Sequence, residues 1–138
     1  MKYLVDTNVL SEAHRAGGLP AVKAFLSKVD EKDLFLSAIT IGEVARGVAR
    51  LAPGKKRDDL MRWLSLTEQL FSDRVLPVTL RVAHLWGELA AKCESIGRVL
   101  SAADGLIAAT ALQHELCLVT RNASDFEFTG VRILDPSV

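Results

Sequence analysis

Three acidic residues stand where an α/β protein gathers its chemistry. Asp6 ends a short apolar run, Lys2-Tyr3-Leu4-Val5, while Glu43 and Asp104 each fall in the first turn of a segment with helical periodicity. In open α/β sheets ligands bind beyond the carboxyl ends of the strands, where the N-termini of the covering helices also point, so these three positions are expected to converge. Their neighbours are apolar: Ile41 and Val44 flank Glu43, and Ala102-Ala103 and Leu106-Ile107-Ala108-Ala109 flank Asp104. Carboxylates in such company are expected to be partly buried, and several unpaired charges buried together repel one another unless a cation neutralises them. Oxygen donors without Cys or His suit a hard ion, Mg²⁺ or Mn²⁺. A purely local reading stands beside this one. Thr40-Ile41-Gly42-Glu43 fits a capping box, Ser101-Ala102-Ala103-Asp104 fits its aspartate variant, and Asp6 fits an N-cap, so helix starts alone account for each acid taken singly.

Nothing else in the chain competes as reaction machinery. The histidines His14, His84 and His114 have no matching Ser or Cys motif and are read as structural or surface groups, and no glycine-rich phosphate loop is present. Lys plus Arg number 17 and Asp plus Glu 17, so no overall basic field attracts a polyanion and any grip on one must be local. The candidate cations are Arg15, Arg46, Arg50, the run Lys55-Lys56-Arg57, Arg98 and Arg121. Arg46 is favoured because it lies one turn beyond Glu43, whereas the Lys55 run reads as a solvated helix start.

The elements that must position these residues alternate in period. Strands are expected at Lys2 to Asp6, Leu34 to Ser37, Val75 to Val78, Leu116 to Thr120 and Arg132 to Leu134, with the Pro77 strand at a sheet edge. Helices are expected from Thr7-Asn8 to Gly17-Gly18, from Pro20 onward, from Thr40 to Pro53-Gly54, across Leu60 to Phe71, from Val82 to a stop at Gly97, and from Ala102 to His114. Strands separated by helices of this length imply crossovers. The expected fold is α/β, a mostly parallel sheet of about four or five short strands with helices on both faces. No repeat or linker divides it, so residues 1–138 are expected to form one domain.

With 49% hydrophobic and 25% charged residues the composition is that of an ordinary globular protein, and no apolar run is long enough to span a bilayer. The charged start at Lys2 and Asp6 leaves no room for a secretory apolar region, so the expected location is cytoplasmic. Cys93 and Cys117 lie apart among apolar neighbours and are expected to be buried free thiols.

Taken together, four segments resemble the PIN-domain nucleases, and within them the VapC-like toxins of toxin–antitoxin pairs. They are Tyr3-Leu4-Val5-Asp6-Thr7-Asn8-Val9-Leu10-Ser11-Glu12, Ser37-Ala38-Ile39-Thr40-Ile41-Gly42-Glu43-Val44, Ala103-Asp104-Gly105-Leu106-Ile107-Ala108-Ala109-Thr110-Ala111 and Leu118-Val119-Thr120-Arg121-Asn122-Ala123-Ser124-Asp125-Phe126, in the family's order. The resemblance implies that Asp6, Glu43 and Asp104 bind Mg²⁺ or Mn²⁺, with Asn8 and Thr120 supporting them. It implies an endoribonuclease that leaves 5′-phosphate and 3′-hydroxyl ends, a homodimer, and an antitoxin whose C-terminal segment fills a groove. The chain departs from the pattern at Asn122, where many members carry an acid, so either Asn122 or Asp125 completes the site. Two other readings stay open. A different Mg²⁺-dependent phosphohydrolase would need a second Asp where Asn8 stands, and a catalytically weak RNA-binding module would explain Asn122.

Overall fold

The computed structural model describes residues 1–138. In chain order it comprises β1 (Tyr3–Val5), α1 (Thr7–His14), α2 (Pro20–Lys28), β2 (Leu34–Ser37), α3 (Ala38–Ala49), α4 (Lys55–Leu70), β3 (Val75–Leu76), α5 (Leu80–Ser95), α6 (Ala102–Gln113), β4 (Cys117–Val119) and β5 (Ile133–Leu134). The five strands are ordered β3-β2-β1-β4-β5 and every neighbouring pair is parallel. The fold class is α/β, as the alternation of periods requires.

Side-chain alternation along each strand feeds the two faces of the sheet. Leu4 and Leu118 turn towards Val82, Leu89, Ile107 and Ala108, beneath α5 and α6. Val5, Leu36 and Val119 turn the other way, onto Val9 of α1 and Val22 of α2. Because β1 and β4 are covered on both sides, their residues read as continuous apolar runs rather than alternating ones.

Element ends shift where a local group decides them. β2 passes into α3 without a loop, so the first available side-chain oxygen, Ser37 Oγ, accepts from the Ile39 N–H at 3.0 Å and caps the helix. Thr40, expected to be the cap, is instead buried inside the first turn. Glu43 therefore lies in the second turn of α3, outside any capping box. The edge strand stops at Leu76, since Pro77 has no N–H with which to continue a ladder. Both cysteines are free and buried, and no helix is long and apolar enough to cross a membrane.

The approach of α6 to α5 depends on Gly105. A Cβ there would fall 2.6 Å from Trp86 Cδ1, against an indole whose N–H is itself buried without a partner. Gly105→Ala is expected to lower unfolding free energy by about 1–3 kcal/mol through overpacking. Urea denaturation checks this, and a variant as stable as the parent would show that Trp86 is free to move aside.

Candidate active site

The sheet order turns about β1: the chain runs outward through β2 and β3, then returns to the other side of β1 as β4 and β5. Asp6 and Thr120 follow directly on the paired strands β1 and β4 at this switch, where neighbouring connections diverge and leave a crevice. The Asp6 N–H donates to Val119 O at 2.9 Å, which fixes its backbone as an extension of the sheet. Its side chain is 5% exposed.

Both Asp6 oxygens are engaged. Oδ1 accepts from the Thr7 N–H at 2.8 Å, so the residue does cap α1 as the local reading holds. Oδ2 accepts from Thr120 Oγ1 at 2.8 Å and from Asn8 Nδ2 at 3.4 Å. Thr120 in turn accepts from the Asn8 amide at 3.4 Å and the Asn122 N–H at 3.1 Å. Desolvation nevertheless pushes the Asp6 carboxyl above the ordinary aspartate range, opposed by the Thr120 and Thr7 bonds and assisted by repulsion from Glu43 and Asp125.

Asp104 occupies the first turn of α6, its N–H held by Ser101 Oγ at 3.1 Å. Its carboxyl is half-buried and is pushed up to about 6, first by desolvation, then by the charge of Asp6, with smaller contributions from Asp125 and Glu43. Ser101 opposes that rise. Two carboxyls from opposite ends of the chain thus feel each other and the same two further acids.

Glu43 is exposed, not partly buried as its apolar neighbours suggest. Ile41 and Val44 flank it in sequence, but Val44 points to the core and Glu43 to solvent, as successive helical positions must. Thr7 Oγ1 donates to Glu43 Oε1 at 2.6 Å, tying α3 to the start of α1. Asn122 and Asp125 are exposed at the ends of a single 3₁₀ turn, the Asp125 N–H donating to Asn122 O at 3.0 Å. No three Asp, Glu, His or Cys side chains are gathered tightly enough here to cage a metal by themselves. The donor set is oxygen throughout, which fits a hard divalent cation. Its deepest members are Asp6 and Asp104, with Glu43 and Asp125 on the rim.

A PIN-domain family model matches residues 3–129 of the chain. Toxin FitB of Neisseria gonorrhoeae is 39% identical over 134 residues, 96% of either chain, and a VapC ribonuclease of Sinorhizobium fredii is 38% identical over 135 residues, again 96% of each. The chain belongs to the PIN-domain family. Its fold superposes on a solved structure of FitAB bound to a DNA fragment with a TM-score of 0.92 at 36% identity, covering 99% of this chain and 96% of that one. The crystal structure of FitAcB from N. gonorrhoeae gives a TM-score of 0.91 at 38% identity, with 97% of each chain covered.

In this PIN domain the candidate cations are placed differently from one another. Arg46 is exposed in the last turn of α3, and Arg121 is held by Glu12, its Nη1 donating to Glu12 Oε2 at 3.1 Å. Beside Glu43 opens a groove of about 410 Å³ lined by Thr7, Ser11, Lys56, Leu60 and Trp63 among others. His14 stacks on Trp63 at its edge, with ring centroids 4.3 Å apart. Two residues carry contacts that the sequence did not single out. Thr7 bridges Asp6 and Glu43, and its position directly after Asp6 was the available signal. Glu12 is buried, and its spacing of three from the core residue Val9 places it on the same inward face of α1.

Proposed function

We propose that this PIN domain is a Mg²⁺- or Mn²⁺-dependent endoribonuclease, acting in the cytoplasm as the toxin of a toxin–antitoxin pair. The observation that carries the chemistry is the placement of Asp6 and Asp104 at the carboxyl edge of the sheet, both within repulsive reach of Glu43 and Asp125. Such a cluster repels a phosphodiester, so the residues present are suited to RNA only through a cation. A bound Mg²⁺ or Mn²⁺ would supply positive charge at the scissile phosphate and lower the pKa of a water there.

The chain's own groups divide the remaining work. Asp6 and Asp104 would be the principal ligands, with Glu43 completing the set from the rim. Thr120 and Asn8 orient Asp6 by donating to Oδ2. Asp125 supplies the fourth negative charge and Asn122 a neutral oxygen beside it. Arg46 is the better candidate for holding the RNA backbone, since it has no ion-pair partner, whereas Arg121 is committed to Glu12. The toxin reading rests on the relatives named toxin FitB and VapC ribonuclease and on the FitAB complex. It extends to a cognate antitoxin and a homodimer, and exposed Met61, Leu66 and Leu70 on α4 offer apolar surface for such contacts.

Cleavage of end-labelled RNA tests the reading. Activity with Mg²⁺ or Mn²⁺ that disappears in EDTA is expected, falling to background in the complex with the antitoxin. RNA retained by the protein without cleavage under any metal would replace the nuclease with the weak RNA-binding module that Asn122 favours.

A further inference from the structure

Glu12 is a buried carboxylate that takes no part in the acid cluster. It is 6% exposed, and its polar partners come from two segments, the turn after α1 and the stretch after β4 that adjoins the site. Oε1 accepts from the Leu19 N–H at 2.8 Å, closing the turn between α1 and α2. That turn folds tightly over it: a Cβ on Gly18 would fall 2.1 Å from Glu12 O, a distance only glycine permits. Oε2 accepts from Arg121 Nη1 at 3.1 Å and from Arg15 Nη1 at 3.4 Å. The Arg15 side chain is mostly exposed, whereas Arg121 is 36% exposed and lies between Thr120 and Asn122.

The backbone of Arg121 makes the second connection. Its N–H donates to Asn8 Oδ1 at 3.2 Å, and Asn8 donates from Nδ2 to Asp6 and Thr120. The segment after β4 is thus pinned to α1 twice, through its guanidinium by Glu12 and through its amide by Asn8. Both partners of Asp6 Oδ2, Asn8 and Thr120, sit inside that clamp.

We propose that Glu12 and Arg121 form a positioning pair, which holds the Thr120–Asn122 segment in register with Asp6 and Asn8. This rests on the nuclease reading for its consequence but not for its geometry. A charge-assisted bond to a buried acid is directional and short-ranged, and removing the charge loosens the guanidinium end of the segment while the Asn8 bond to its amide remains. Glu12 touches no ligand, so its effect on catalysis passes through the orientation of Thr120 and Asn8 on Asp6, as expected of groups that support metal-binding side chains.

Glu12→Gln separates this from a merely structural role, because it keeps the shape and a carbonyl for Leu19 while removing the charge. Amide exchange followed residue by residue is expected to quicken about tenfold at Arg121 and Asn122 and to stay unchanged in α5, while kcat falls about tenfold with KM within about twofold. Arg121→Lys keeps Glu12 compensated but lacks the planar fork, and is expected to give the same pattern at smaller amplitude. Should Glu12→Gln not fold, that second variant carries the test. Unchanged exchange at Arg121 and Asn122, or acceleration spread evenly over α5 and α6, overturns the proposal. If the parent protein cuts no RNA the nuclease reading fails, and the exchange pattern alone still decides whether the pair positions the segment.

Discussion

Asp6→Asn is expected to lower metal-dependent RNA cleavage by about 10³-fold, the scale on which one preorganised polar group matters at a reacting centre, while leaving folding stability within about 1 kcal/mol of the parent. The two effects have different causes. In its charged form the parent carboxyl is desolvated and repelled by Glu43 and Asp125, a cost that asparagine removes. Against this, the asparagine must still accept from the Thr7 N–H, which turns its NH₂ towards Thr120 Oγ1. That oxygen already accepts from Asn8 and Asn122, and a hydroxyl has only two lone pairs. The relief of charge and the crowding of donors therefore offset each other. Cleavage assayed beside thermal melting distinguishes this from simple unfolding: a variant that loses activity together with several degrees of melting temperature would make Asp6 a structural cap rather than a ligand.

The same competition explains how far the sequence could be read. An N-cap and a metal ligand both call for a short carboxylate near a helix start: Asp6 caps α1, and Asp104 lies in the first turn of α6 behind the Ser101 cap, so a helix start alone accounts for either acid. What distinguishes the roles is whether the acids from separate helices share a field, and that depends on strand order. The order was inferable only as parallel, since periodicity gives the type of each strand and not its neighbours. Leu34 to Ser37 was legible because its apolar run is bounded on both sides, whereas the start of α3 was not. Thr40 has the composition of a cap, but the direct passage from β2 to α3 makes Ser37 the residue with a free oxygen at the first turn. The exposure of Glu43 is hidden in the sequence for a related reason: apolar neighbours in sequence lie on a different face once the helix forms, so they say little about its own exposure. Glu12 is not legible in the sequence because a charged residue one turn from a core valine reads as a solvated helix face until its partners, 7 and 109 residues away in sequence, are brought to it.

Asp104 should reveal itself through pH. Its carboxyl titrates near 6 in the folded chain against an ordinary value of 3.8, so between those limits the folded state holds a proton that the unfolded state has released. Stability attributable to Asp104 is then fully present below about pH 4 and is lost as pH rises through about 6. In EDTA, the melting temperature of the parent is expected to fall relative to Asp104→Asn across this window, and to hold a constant difference above it. Asp6 is shifted in the same direction and its charge is one cause of the Asp104 shift, so the difference between the two proteins reports Asp104 together with its coupling to Asp6. Mn²⁺ should reverse the trend, because a ligand that binds only the folded state adds about 2.7 kcal/mol at a hundred times its dissociation constant. Proton and metal compete for one carboxyl, so that gain should shrink as pH drops below about 6. In Asp104→Asn the gain should be small at every pH, since the site keeps its other acids but loses one of its two deepest charges. Equal stabilisation of parent and variant by Mn²⁺ at neutral pH would mean that the cation sits elsewhere, and that Asp104 owes its shift to burial at a helix start alone.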